Sequence, residues 1–268
     1  MIRPSGIITI ITDFGDTDYF VGAVKGAMVT INPVANIIDI TNNIRPGDIR
    51  QASFVLMNSF SEFPSGTIHY CVVDPGVGSR RKALIVDDGD YFFVAPDNGV
   101  VYPSIEGGDF RAYEISKIGR RKPGAISSTF HGRDIFAPAA SLLSKGIDMG
   151  LIGEPIEEIE HYHFPVPKQS DAVLLGEIIH IDHFGNLITN FRRDNLSELR
   201  KPIFRTNERD ISESRLYYQE DKSKAPFYIE GSSGYMEISV CNSRADVVLG
   251  SAVGDIVILL DGADEKTD

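Results

Sequence analysis

The sequence predicts an α/β N-terminal domain, with a central mostly parallel sheet flanked by helices, followed by a small all-β antiparallel barrel-like domain. In the first half, short apolar runs rich in β-branched residues alternate with helix-spaced runs. In the second half, strand-like runs follow one another with scarcely a convincing helix among them. Between the halves His161–Lys168 contains Pro165 and Pro167 and reads as a linker, which places the domains at 1–164 and 165–268.

Each element has a local reason. Ile7–Thr12 reads as a buried strand, and Tyr19–Ile31, rich in Ala, Val and Met, as a helix stopped by Asn32-Pro33. Asn36–Thr41 is a second strand. Asp48 can cap a helix running through Phe63, because Ala52, Val55, Leu56, Phe60 and Phe63 recur at helical spacing. Thr67–Val73, Ala83–Val86 and Tyr91–Ala95 read as further strands. Asp134–Lys145 reads as a helix, with Asp134 suited to its N-cap and Gly146 to its stop. Beyond the linker, strands are expected at Leu174–Ile181, Leu187–Phe191, Pro202–Thr206, Phe227–Glu230, Tyr235–Val240 and Asp255–Leu260. The polar stretch Asn207–Lys224 reads as a long exposed loop, and Gly262–Asp268 as a loose acidic tail.

Composition narrows the function. A formal charge of −12 over 268 residues argues against general nucleic-acid binding, which needs a basic face. Such acidity serves solubility and leaves room for a small cationic substrate. No apolar run approaches the ~20 residues that span a bilayer, so no membrane role is expected. The opening MIRPSGIITIITDFG passes from a short apolar run straight into a polar motif, unlike a secretion signal, and a cytoplasmic location is expected. The two cysteines, Cys71 and Cys241, are then expected to be reduced and buried. No CxxC or Cys/His cluster has zinc spacing.

Four polar clusters follow strand-like runs, where open α/β sheets bind ligands. In Thr12-Asp13-Phe14-Gly15-Asp16-Thr17-Asp18 a carboxylate could accept from a ribose diol, three aspartates could hold a divalent metal, or Asp16 or Asp18 could simply cap a helix. In Asp74-Pro75-Gly76-Val77-Gly78-Ser79-Arg80-Arg81 a tight glycine loop lets an aspartate and an arginine seven residues apart meet, for chemistry or to hold the turn. Thr129-Phe130-His131-Gly132-Arg133-Asp134 brings a histidine to a helix start. Asp182-His183-Phe184-Gly185-Asn186 offers an asparagine with both donor and acceptor, or a bulged hairpin turn. Pro96-Asp97-Asn98-Gly99 is by itself an ordinary turn signal.

Taken together, TDFGDTD, DPGVGSRR, APDNG, TFHGRDIFAPAA and IDHFGNLITN resemble one family, the adenosine-forming S-adenosylmethionine hydrolases, or SAM hydroxide adenosyltransferases. These are related in fold to fluorinase and chlorinase. The resemblance runs from about Ile8 to Val257. It implies that Asp74, Arg81 and His131 form the catalytic water site. It implies that Asp13 holds the ribose hydroxyls, and that Asp182 and Asn186 hold the methionine part and the adenine neighbourhood. Asn98 joins the substrate-binding set through APDNG, and Ser232 and Ser233 through a segment on the adenine side. The halogenating relatives have an aromatic residue where this chain has Asp74 and lack the histidine of His131, so water is favoured over halide. Val240-Cys241-Asn242-Ser243-Arg244 departs from the family pattern and leaves Arg244 without a role. The resemblance also implies a homotrimer, with sites between the first domain of one subunit and the second domain of its neighbour.

The expected reaction is attack of water on the ribose C5′ of S-adenosylmethionine, giving adenosine and methionine. The sulfonium leaves as a neutral thioether, so neither a general acid nor a metal or other cofactor is expected. Arginine stays protonated and can only orient, which leaves Asp74 and His131 as candidate proton acceptors. Two other readings stand beside this one. A metal-dependent nucleoside hydrolase built on Asp13, Asp16 and Asp18 would be sensitive to chelators. A non-catalytic module binding adenosine or S-adenosylmethionine would show no turnover.

Overall fold

The computed structural model describes residues 2–118, 126–220 and 222–263. The chain divides into two compact units, Met1–His163 and Phe164–Asp268. Residues 264–268, most of the expected acidic tail, lie outside the described residues.

The N-terminal unit runs β1 (Ile7–Thr12), α1 (Phe20–Ile31), β2 (Asn36–Thr41), α2 (Ile49–Met57), β3 (Ile68–Val72), β4 (Ala83–Asp87), β5 (Phe92–Pro96), α3 (Tyr102–Ile105), β6 (Arg111–Ile115), α4 (Ala137–Ser144) and β7 (Gly153–Ile156). Its seven-stranded sheet has the order β2-β1-β3-β5-β4-β6-β7. The pairings β1–β2, β1–β3 and β3–β5 are parallel, whereas β4–β5, β4–β6 and β6–β7 are antiparallel. The sheet is therefore mixed, not mostly parallel. The reason is local: the short link from Asp87 to Phe92 can close a hairpin but cannot carry a parallel crossover.

Central β3 is buried at every position, His69 included, which fits its otherwise apolar sequence. One apolar cluster joins Ile8, Ile10, Ile68, Tyr70 and Val72 to Val24, Ala27 and Met28 of α1 and to Ala137, Ala140 and Leu143 of α4. Another joins Ile11, Cys71 and Val73 to Ala52 and Leu56 of α2 and to Ile105 of α3. Alternate residues of a strand face opposite sides, so the same two strands feed both clusters.

Helix ends follow their side chains. Asp48 caps α2 by accepting from Gln51 N at 2.8 Å. The helix ends at Met57, and Phe60–Glu62 is a separate 3₁₀ turn, so the expected continuous helix to Phe63 is broken. Asn58 and Ser59 break it: their side chains turn back to the carbonyls of Phe54 and Val55. Neither Asp16 nor Asp18 caps α1, whose N-cap is Tyr19 with no side-chain bond.

The C-terminal unit runs β8 (Lys168–Ser170), β9 (Val173–Ile181), β10 (Leu187–Arg192), β11 (Pro202–Thr206), β12 (Arg209–Ile211), β13 (Pro226–Glu230), β14 (Tyr235–Val240), α5 (Ala245–Leu249) and β15 (Ile256–Asp261). Its eight strands form an antiparallel sheet of order β12-β11-β15-β9-β10-β14-β13, with β8 on β9. The sheet nearly closes: Arg215 N donates to Tyr228 O, and Tyr228 N donates to Glu213 O. The stretch expected as one loop, Asn207–Lys224, thus contains β12 and a segment bonded to β13. Asn207 and Glu208, both at positive φ, form the tight turn that starts it. Among the described residues no helix is long and apolar enough to cross a membrane.

Candidate active site

Strands β1, β3 and β5 lie side by side and parallel, so the loops at their C-terminal ends share one edge of the sheet. Asp13 follows β1, Asp74 follows β3 just after Val73, and Asn98 follows β5. A topology that collects loops at one edge is what α/β sheets use to build ligand sites.

The glycines bring the second and third motifs together. Gly78 has φ +80°, and a Cβ there would lie 2.4 Å from Ser128 O, so the loop after β3 can seat against the residue that leads into TFHGRD only without a side chain. Gly132 is equally crowded, with Tyr70 Oη at 2.9 Å and Phe14 Cζ at 3.0 Å from a Cβ position. Phe14 also meets Phe130 edge-on at 5.9 Å. The three motifs therefore pack as neighbours.

Asp74, Arg81 and His131 form one hydrogen-bonded set. Arg81 Nε donates to Asp74 Oδ1 at 2.9 Å and Oδ2 at 3.0 Å, and its Nη2 donates to Asp74 Oδ2. The same Nη2 lies 2.9 Å from His131 Nδ1. The ion pair is well shielded, at 11% exposure for Arg81 and 6% for Asp74. Arg81 also lies over the Phe136 ring at 5.1 Å. Phe136 stands there because Gly132–Phe136 forms a π-helical turn leading into α4, a distortion found often at functional sites.

The set defines the tautomer of His131. A guanidinium nitrogen has no lone pair to offer, so His131 Nδ1 must be the acceptor and the ring proton sits on Nε2. Burial lowers the His131 pKa, and the Arg81 charge adds to that against Asp74 and Asp134. The imidazole is neutral at pH 7, with its Nδ1 lone pair engaged and its Nε2–H available as a donor.

Asp13 accepts from Gly47 N at 2.8 Å. Burial raises its pKa above the usual carboxylate value, the Gly47 bond opposes this, and nearby Asp74 adds to the rise. Asp16 instead accepts from Asn43 Nδ2 at 2.6 Å. Among the described residues no group of three or more His, Cys, Asp or Glu is placed to hold a metal ion. Asn98 spends both ends of its amide on backbone, donating to Val73 O at 2.9 Å and accepting from Val100 N at 3.2 Å. In this arrangement it steadies the strand end that carries Asp74. Asp134 lies inside the π turn, not at an N-cap, and accepts from Ser127 N and from Arg133. Burial works against its ionised form, but those bonds outweigh it and hold its pKa low.

In the C-terminal unit Asp182, Asn186 and Ser232 line one cavity of about 750 Å³, together with Phe184, Tyr218, Glu237 and Arg244. Ser233 is not among the residues that line it. Asp182 shapes its own loop by accepting from Asn186 N and Nδ2, each at 2.8 Å. Arg244 pairs with Asp246 and donates to His183 O at 3.1 Å, which ties the loop to the start of α5. Both cysteines are free and buried.

Sequence reasoning missed Gly47, Tyr218 and Glu237. Gly47 contributes only its backbone and Tyr218 sits in a stretch taken as loop. A signal for Glu237 existed: it is the lone carboxylate in the otherwise strand-forming YMEISV.

Comparison with known proteins agrees with this architecture. The family model of the SAM hydroxide adenosyltransferase N-terminal domain matches residues 8–153, and that of the C-terminal domain matches residues 176–258. An (R)-S-adenosyl-L-methionine hydrolase of Salinispora tropica is 33% identical, over 95% of this chain and 97% of its own. A protein of the same name from Methanocaldococcus jannaschii is 37% identical over 71% of this chain and 69% of its own. A crystal structure of a conserved protein from Thermotoga maritima superposes with a TM-score of 0.85 at 32% identity, over 95% of this chain and 98% of that one. With both halves of the chain matched in order, this protein belongs to the SAM hydroxide adenosyltransferase family.

Proposed function

We propose that this protein is an S-adenosyl-L-methionine hydrolase that attacks the ribose C5′ with water and releases adenosine and L-methionine. The observation that carries the reading is the Asp74–Arg81–His131 set, a shielded carboxylate, guanidinium and neutral imidazole in one hydrogen-bonded group. The names of the relatives support the substrate.

The chemistry asks for an aligned nucleophile. The thioether leaves neutral, so no acid is needed and no cofactor beyond the substrate takes part. Alignment opposite the C5′–S bond can contribute several kcal/mol, on the order of 7–11 at most. His131 offers Nε2–H to the water oxygen. Its Nδ1 is engaged by Arg81, so Asp74, whose oxygens keep further lone pairs, takes up the proton as the C5′–O bond forms. Arg81 keeps the carboxylate and imidazole in register. Asp13 binds the ribose hydroxyls, and Asp182, Asn186, Ser232 and Ser233 serve the methionine and adenine parts. Asn98 acts by holding the end of β3.

We read the N-terminal unit as a layered α/β catalytic domain and the C-terminal unit as a substrate-binding barrel. A homotrimer is proposed, because the candidate residues are divided between the two units and the family resemblance implies shared sites. A cytoplasmic location fits two free, buried thiols.

Incubation with S-adenosylmethionine in ¹⁸O-labelled water tests the function. The label is expected at the 5′-hydroxyl of adenosine, with methionine as co-product. Free adenine or S-adenosylhomocysteine would instead report glycosidic cleavage or methyl transfer and overturn the reading.

A further inference from the structure

The C-terminal cavity holds a carboxylate that none of the sequence motifs accounts for. Glu237 lies in β14, a strand buried at every position, and is itself only 6% exposed. It lines the same cavity as Asp182. Its Oε2 accepts from the Tyr218 hydroxyl at 2.7 Å, and its Oε1 makes no hydrogen bond among the described residues. The absence of a side chain at Gly231 makes room for it, since a Cβ there would lie 1.8 Å from Oε1. The fold has thus cleared space for a carboxylate beside Gly231 and fixed one of its oxygens on Tyr218, at a residue that lines the cavity.

A structural Glu–Tyr pair would account for the bond to Tyr218 but not for a second carboxylate on the same cavity. Burial raises the Glu237 pKa, the Tyr218 bond opposes this, and the charge of Asp182 pushes it up further. Two carboxylates that repel each other attract a cation placed between them. Arg244, the cation on the lining, is already committed to Asp246 and His183 O. S-adenosylmethionine carries two positive groups, and they differ in what they ask of a site. The sulfonium has no N–H, whereas the α-ammonium has three donors and needs several acceptors when it leaves water.

We propose that Glu237, held by Tyr218, acts with Asp182 as a second acceptor for the α-ammonium of the substrate, and so selects sulfonium nucleosides that carry an amino-acid chain. This rests on the hydrolase reading above. Tyr218 is then a positioning residue and Glu237 a specificity residue of the methionine end.

The test compares S-adenosylmethionine with 5′-dimethylsulfonio-5′-deoxyadenosine, which keeps the C5′–S⁺ bond but lacks ammonium and carboxylate. Binding and steady-state kinetics are measured for the wild type, Glu237→Gln and Tyr218→Phe. Glu237→Gln keeps the volume and an oxygen for Tyr218 but loses the charge. It is expected to weaken S-adenosylmethionine binding about 10- to 100-fold, mainly in KM, while binding of the truncated sulfonium changes less than about twofold. Tyr218→Phe should move the same ratio in the same direction by less. Equal losses on both compounds would show a purely structural role and overturn the proposal, as would unchanged affinity for S-adenosylmethionine. If the wild type binds both sulfoniums but cleaves neither, the hydrolase reading fails, and the binding ratio still decides the role of Glu237.

Discussion

Arg81→Lys tests the core of the mechanism, because it keeps the charge and removes the fork. Arginine bonds three acceptors at once: both oxygens of Asp74 and His131 Nδ1. A lysine ammonium is a point charge on a flexible stem and cannot span the carboxylate and the imidazole together. At least one charge-assisted bond to Asp74 and the link to His131 are lost. The pair is shielded from solvent, so little of their worth is screened away. A net loss of about 3 kcal/mol corresponds to a rate roughly 100-fold lower. Single-turnover quench at saturating S-adenosylmethionine reads this directly, and ¹⁵N NMR of the imidazole reads its cause. The wild type should show an unprotonated Nδ1. In Arg81→Met the His131 pKa should rise, since the Arg81 charge is among the causes that hold it down. A rate for Arg81→Lys within about threefold of wild type, or a protonated Nδ1 in the wild type, would refute the argument.

Other outcomes follow from the same geometry. Asp74→Ala and His131→Ala should each cut single-turnover rates roughly 100-fold or more while calorimetry shows near-normal binding, whereas Asp13→Asn should act mainly on binding. Gly78→Ala should cost about 2 kcal/mol or more of stability in urea unfolding and depress activity with it, because its Cβ would meet Ser128 O at 2.4 Å in a left-handed backbone. His69 is fully buried beside Thr9, Phe60, Phe63, Tyr91 and Phe93, and burial lowers its pKa from 6.5 to about 4. The unfolded chain therefore binds a proton that the native state refuses, and stability present above pH 6.5 is lost as pH falls toward 4. The loss is about 3 kcal/mol at one site, and His69→Gln should flatten it in urea midpoints measured across that range. Sedimentation should find a trimer, and a fully active monomer at working concentration would contradict shared sites.

The sequence alone determined what short-range physics controls. Strand bounds at Ile7–Thr12, Asn36–Thr41, Pro202–Thr206 and Tyr235–Val240 match the structure, because β-branched and apolar runs between turn residues need no distant partner to be recognised. Asn32-Pro33 and Asp48 act within one helical turn of themselves, so a helix end and a cap were readable. Asp74 and Arg81 meet across a loop short enough for the sequence to suggest it. Tertiary structure decided what depends on partners far along the chain. The short strands β6, β7, β8 and β12 have mixed or polar sequences and exist because a neighbour offers hydrogen bonds. The antiparallel course of β4 was implied by its short link to β5, but its place between β5 and β6 was not. The seating of Gly78 on Ser128 and the tautomer of His131 both depend on segments about 50 residues apart packing together. Glu237 shows the limit most clearly: a strand pattern says that it is buried or exposed, while only the tertiary structure shows the cavity it lines and the space that the absent Cβ of Gly231 leaves for its carboxylate.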